Sequence, residues 1–109
     1  MGTATYIKDE AEFDQQLGEQ GLMVVDCTAS WCGPCKLVAP LMDQLAEAYD
    51  GRVSVFKLDI DENKPVAKRF GLKSIPAVMY FKQGELTETL VGVKPYETFV
   101  ASTESLLAD

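Results

Sequence analysis

Leu22-Met23-Val24-Val25-Asp26-Cys27-Thr28-Ala29-Ser30-Trp31-Cys32-Gly33-Pro34-Cys35 is the stretch from which the rest of this chain is read. Its first four residues form a short apolar run with β-branched content. They predict a buried strand that continues into Asp26, Cys27 and Thr28. After Cys35 the periodicity changes. Val38, Leu41, Met42, Leu45 and Tyr49 recur at helical spacing, while Lys36, Asp43, Gln44 and Glu47 fall on the other side. Pro40 inside this pattern predicts a kink, and Asp50-Gly51 ends it. A C-x-x-C pair therefore stands where a buried strand gives way to a helix.

That position has three chemical consequences. Cys32 falls at or just before the first helical turn, where free backbone N–H groups and the helix dipole stabilise a thiolate. Its pKa is expected below the free value of about 8.5. The i, i+3 spacing puts both sulfurs on one side of the turn, within disulfide reach. The ring they close is tiny, and its chain-entropy contribution is roughly 2 kcal/mol against about 4.7 for a 100-residue loop. Such a bond suits repeated making and breaking better than architecture.

The chain has 109 residues, three cysteines and no histidine. A zinc site normally needs four Cys or His ligands, and these are lacking. A static disulfide would suit a small secreted chain with paired cysteines. Met1 to Glu10 carries neither the basic stretch nor the apolar segment of a signal peptide, so a cytoplasmic protein is expected. Without histidine, acid–base work falls to carboxylate, lysine, tyrosine or thiol. The formal net charge of −7 argues against nucleic acid and against an anionic membrane surface. No apolar run approaches the ~20 residues that span a bilayer.

Working outward, Asp9 to Leu17 reads as a short amphipathic helix bearing Phe13 and Leu17, closed by Gly18 and Gly21. Thr5–Ile7 is a weak first strand. Arg52 to Ile60 is a strand with Val53 and Val55 on one face and Phe56, Leu58 and Ile60 on the other. Asn63 is expected to cap a short helix with Pro65 in its first turn and Gly71 as its stop. Ala77 to Lys82 and Glu85 to Val91 are strands joined by a Gln83-Gly84 turn, the second alternating Leu86 and Leu90 with polar neighbours. Pro95 opens a last helix bearing Phe99, Val100, Leu106 and Leu107. The alternation predicts one α/β domain over residues 1–109: a central sheet of about five strands flanked by four helices, with parallel central strands and an antiparallel hairpin at the edge.

Two polar residues interrupt this pattern. Asp26 is either a strand-end carboxylate, exposed or capping, or a buried one with a raised pKa. Lys57 breaks an apolar strand, where an exposed lysine is the ordinary reading.

The chain resembles the thioredoxins over essentially its whole length. The resemblance is carried by Val25-Asp26, Ala29, the Trp31–Cys35 run with Lys36, Pro40, Lys57, Asp59, Asp61, Ser74-Ile75-Pro76, Gly84 and Gly92. It implies the three-layer thioredoxin fold and a thiol–disulfide oxidoreductase that reduces protein disulfides and serves electron transfer and redox homeostasis. It implies Cys32 as nucleophile, Cys35 as resolving thiol, a buried Asp26 as proton acceptor and Lys57 lying close to tune it. It also implies a cis Pro76 against the disulfide, with the Ile75 backbone free to pair with an extended substrate. Trp31, Gly33, Pro34, Ile75, Val91, Gly92 and Val93 would complete a flat apolar docking patch. No nucleotide or flavin loop is visible, so no cofactor is expected. Electrons would come from a separate reductase, NADPH- or ferredoxin-linked, to a monomer. The alternative is a non-catalytic docking or assembly subunit.

The chain departs from the family in two places near the site. Cys27 and Thr28 stand where most thioredoxins carry two aromatics, and Ala77 replaces the usual threonine after Pro76. Asp26 and Cys27 should point to opposite faces. Cys27 then reads as a buried, inert thiol, with a regulatory third thiol as the alternative. Thr28 removes a large packing group beside the active site.

Overall fold

The structure, a computed structural model, describes residues 3–108. Its elements are β1 (Thr5–Ile7), α1 (Glu10–Glu19), β2 (Leu22–Thr28), α2 (Cys35–Ala48), β3 (Ser54–Asp59), α3 (Lys64–Arg69), β4 (Ala77–Lys82), β5 (Glu85–Val91) and α4 (Tyr96–Leu107). The five strands form one sheet in the order β1-β3-β2-β4-β5. β1, β3 and β2 run parallel, and β4 and β5 add the antiparallel edge. None of the described helices is long and apolar enough to cross a membrane.

β2 is nearly continuous in apolar residues because both its faces are covered. Val24 packs with Val38, Met42 and Leu45 of α2 and with Phe99 and Leu106 of α4. Met23, Val25 and Cys27 pack on the opposite side with Phe13 of α1 and Val66 of α3. The three layers expected from the sequence are therefore present, with α2 and α4 on one face and α1 and α3 on the other. Val53 and Val55 lie on the first side and Phe56, Leu58 and Ile60 on the second, as the alternation predicts.

The local chemistry at element ends departs from the sequence reading in four ways. β3 covers Ser54–Asp59, shorter at both ends than the apolar run. α1 continues through Gly18 to Glu19 and is started by Asp9, whose carboxylate accepts from the Glu12 N–H at 2.8 Å. Asn63 occupies the N-cap of α3 but does not cap it. Its amide instead donates to the Asp59 carbonyl at 3.0 Å. Leu86 and Leu90 do not share a face, because a β-bulge falls between the Phe81–Leu86 and Tyr80–Glu88 pairs. The extra residue reverses the alternation, so Leu90 packs on the α2/α4 side while Leu86 stays exposed. The β4–β5 turn has φ of 52° at Gln83 and 82° at Gly84, the positive values that a tight two-residue hairpin requires.

The α1/α3 side is locked by three rings in edge-to-face contact. Phe13 lies 5.6 Å from Phe70 and 5.8 Å from Phe81, and Phe70 lies 5.3 Å from Phe81. Phe13 is fully buried. Phe13→Ala removes a ring from both contacts and should lower the unfolding free energy by about 3–5 kcal/mol. The urea midpoint should fall with little change in slope.

Candidate active site

Cys32 and Cys35 are joined by a disulfide with their Cα atoms 5.3 Å apart. The short loop between β2 and α2 places them. The Cys32 N–H donates to the Ala29 carbonyl at 3.1 Å, which folds the loop back over the strand end. α2 begins at Cys35, and Pro34 at its N-cap offers no side-chain acceptor. The free amide of Cys35 donates instead to Cys32 Sγ at 3.2 Å. The start of the helix thus directs an unsatisfied N–H at the first sulfur, an arrangement that favours a thiolate there. Both cysteines are nearly buried, packed with Ala29 and against Ile60 and Ile75.

Asp26 lies on β2 and is 1% exposed, and neither carboxylate oxygen has a hydrogen-bond partner. Burial pushes its pKa up to about 7. The Lys57 ammonium opposes that shift and the Asp43 carboxylate reinforces it. The structure therefore supports the buried reading of this residue over the capping one. Lys57 is Asp26's register partner on β3 and is buried. Its ammonium, however, is paired to Asp43 Oδ1 at 3.0 Å. Lys57 therefore acts on Asp26 through space, while its direct ion partner comes from α2. The helix pattern had put Asp43 on the outward side. Instead it is half-buried, holding Lys57 and accepting the Ala4 N–H at 3.0 Å.

The residues of the expected docking patch lie around the disulfide. Trp31 is 67% exposed, and its ring N–H donates to Asp61 Oδ2 at 2.6 Å. Asp61 is presented by a turn in which Asp59 Oδ1 accepts the Asp61 and Glu62 N–H groups at 2.8 and 3.2 Å. Asp61 carried part of the family resemblance, but its bond to Trp31 is not readable from spacing. Gly33 and Pro34 are exposed. The Ile75–Pro76 peptide is cis, as the resemblance implied. Ile75 packs on the cysteine pair, and Pro76 accepts the Gly92 N–H at 2.8 Å, which brings the Val91–Val93 loop alongside. Val91 and Val93 are about half exposed. Gly92 has φ of 96°, a conformation that favours glycine.

Cys27 is free, fully buried and turned into the α1/α3 core. Burial and the neighbouring Asp26 carboxylate hold its thiol far above the usual range. Among the described residues, no three His, Cys, Asp or Glu side chains are grouped to hold a metal ion.

Comparison with known proteins agrees with this geometry. The Thioredoxin family model matches residues 4–105. The chain is 43% identical to a thioredoxin of Staphylococcus epidermidis over 88 residues, covering 81% of this chain and 84% of that protein. It is 44% identical to the chloroplastic M-type thioredoxin of Spinacia oleracea over 86 residues, 79% of this chain but only 48% of that longer protein. The solved structure of Malassezia sympodialis thioredoxin superposes with a TM-score of 0.90 at 29% identity, covering 99% of this chain and 94% of that one.

The state of Asp26 predicts a pH-dependent stability. Folding raises its pKa to about 7 from an unfolded value near 3.9. Between those values the native state keeps a proton that the unfolded chain has lost, so stability falls as pH rises, then levels off above pH 7. The loss attributable to Asp26 is on the order of 4 kcal/mol. Guanidinium unfolding of the oxidised protein from pH 4 to 8 should show this decline, and Asp26→Asn should remove it. Parallel curves for the two proteins would overturn the assignment.

Proposed function

The chain belongs to the thioredoxin family, and we propose that it works as a protein-disulfide reductase through Cys32 and Cys35. The observation that carries this reading is the Cys32–Cys35 bond at the start of α2, following a strand that buries a carboxyl whose pKa lies near neutrality. As a thiol–disulfide oxidoreductase it exchanges its dithiol for a disulfide in a target protein.

Cys32, as thiolate, attacks one sulfur of the target disulfide. The target's other sulfur leaves, and a Cys32–target mixed disulfide forms. Cys35 then loses its proton, to Asp26 directly or through a water, and attacks Cys32 Sγ. The Cys32–target bond breaks, the target departs reduced, and the Cys32–Cys35 disulfide closes. The Cys35 N–H that reaches Cys32 Sγ supports Cys32 as the attacking thiolate. Lys57 favours the ionised form of Asp26, which keeps that carboxylate able to accept a proton near pH 7.

Trp31, Gly33, Pro34, Ile75, Pro76, Val91, Gly92 and Val93 form the docking surface for a loop that presents a disulfide. The exposure of Trp31, Gly33, Pro34, Val91 and Val93 around the cysteine pair, with the half-buried Ile75 packed on it, supports this assignment. Protein disulfides and a thioredoxin reductase are the partners that the family implies. We assign an NADPH- or ferredoxin-linked reductase as electron donor, a monomeric state, a cytoplasmic location and one domain across residues 1–109.

The test is a trap. Cys35→Ser keeps the nucleophile and removes the group that resolves the intermediate. Incubated with oxidised target proteins, it should accumulate mixed disulfides at Cys32 that dithiothreitol releases, while wild type reduces insulin and accumulates none. If the variant traps nothing under conditions where wild type is active, the assigned roles fail. Binding of partners that persists in a Cys32→Ser, Cys35→Ser double variant would favour the docking-subunit reading instead.

A further inference from the structure

A pocket of about 260 Å3 opens beside the disulfide on the α2 side of the sheet, lined by Tyr6, Thr28, Ser30, Cys35, Lys36 and Asp59 among others. Asp26 faces the same way. Residues two apart on a strand share a face, so Thr28 stands directly beyond Asp26 on β2. Thr28 and Asp59 are register partners, as are Asp26 and Lys57. Val24 along the strand and the β4 register partner Val78 are buried and apolar, while on the β3 side stands Lys57, whose ammonium is held by Asp43.

Asp26 is nearly inaccessible, and neither of its oxygens bonds to the protein. A proton accepted there in each cycle must still reach bulk water. The pocket has room for several molecules at about 30 Å3 each, and its hydroxyls and the Asp59 carboxylate are the polar partners that ordered water requires. The turn at Asp59 uses Oδ1 for both of its backbone bonds. A bulky side chain at 28 would fill this space.

We propose that Thr28 keeps open a water-filled passage through which the proton lost by Cys35 and held at Asp26 reaches solvent, with the Asp59 carboxylate as its outer acceptor. The proposal rests on the assignment of Asp26 as proton acceptor made above. The balance is simple. The Cys35 S–H proton passes to the Asp26 carboxylate, and the Cys35 thiolate displaces the target thiolate from Cys32. Asp26 then hands the proton through water to Asp59 and on to bulk, from which the released target thiolate regains one. Thr28 is a positioning residue in this scheme, since it holds the space and does not touch the reacting sulfur. The charged and titratable groups that interact with Asp26 are Lys57 from β3, Asp43 from α2 and the adjacent Cys27 on β2, while Cys35 and Lys36 from α2, Tyr6 from β1 and Asp59 from β3 line the pocket.

The test separates the two chemical steps in a rapid-quench single turnover with a disulfide-containing peptide. Thr28→Trp fills the pocket and should slow resolution of the mixed disulfide about tenfold, a modest share of the ~100-fold or more that positioned proton transfer supplies. Formation of the mixed disulfide by Cys32 should change little. Thr28→Ser, which leaves the space open, should restore the rate. Asp59→Asn should slow resolution in the Thr28 protein and add nothing in the Thr28→Trp protein. Imidazole as a small added base should rescue Asp59→Asn but not Thr28→Trp. If Thr28→Trp does not fold, Thr28→Leu replaces it. Resolution at the wild-type rate in the filled variant overturns the proposal, as do losses for Thr28→Trp and Asp59→Asn that simply multiply. Wild-type resolution in Asp26→Asn, with Thr28→Trp still slow, instead removes Asp26 as the acceptor and leaves the pocket as the proton route from Cys35.

Discussion

β2 is hydrogen-bonded on both edges, to β3 in parallel and to β4 in antiparallel register, and everything chemical in this protein hangs from its C-terminal end. A strand held on both sides cannot slip by one residue without exchanging its two buried faces. A slip would move Val24 and Asp26 to the α1/α3 side and Cys27 to the α2/α4 side. The double pairing therefore decides which thiol and which carboxylate serve the site. It also fixes the start of α2, since only the short Ala29–Pro34 loop separates the strand from Cys35.

The same constraint explains how an unpartnered carboxyl can stay buried. A side chain at that position in a fixed strand cannot turn to solvent, Val24 and Val78 offer it no donor, and the Lys57 ammonium on the β3 side is held by Asp43. The carboxyl answers by keeping its proton near neutrality. Lys57 moderates this from the adjacent strand, and Asp43 anchors Lys57 from the helix above. Three charges from three elements thus share one face of the sheet. The scaffold tolerates this destabilising group, and in the reaction proposed above it is the group that takes the proton lost by Cys35.

Much of this was legible beforehand for definite reasons. The apolar run at Leu22–Val25 and the helical recurrence from Val38 to Tyr49 are strong local patterns, and they placed β2, α2 and the C-x-x-C pair between them. The division of Val53 and Val55 from Phe56, Leu58 and Ile60 followed from strand alternation alone. What escaped depends on partners distant in sequence. Asp43 looks outward on a helical wheel, and the Lys57 ammonium arriving from β3 and the Ala4 N–H draw it in. The bulge that separates Leu86 from Leu90 is decided by pairing with β4, with Thr87 donating to the Tyr80 carbonyl at 3.1 Å. Asn63 offers the usual capping signal, but its side chain is turned so that the amide donates to the Asp59 carbonyl and Oδ1 caps nothing. The cis peptide before Pro76 came from family resemblance, because nothing in the dipeptide distinguishes cis from trans.

The two large apolar clusters on either side of the sheet contain neither Cys32 nor Cys35, which form a small group of their own with Ala29. Opening their bond therefore releases a four-residue ring that touches the larger cores only through Ile60 and Ile75. The protein can be charged and discharged with two electrons on one standing framework. Exchange with a partner then requires little reorganisation, and the driving force is set by the sulfurs, the helix end and one proton rather than by refolding. That is the behaviour of a reusable battery terminal.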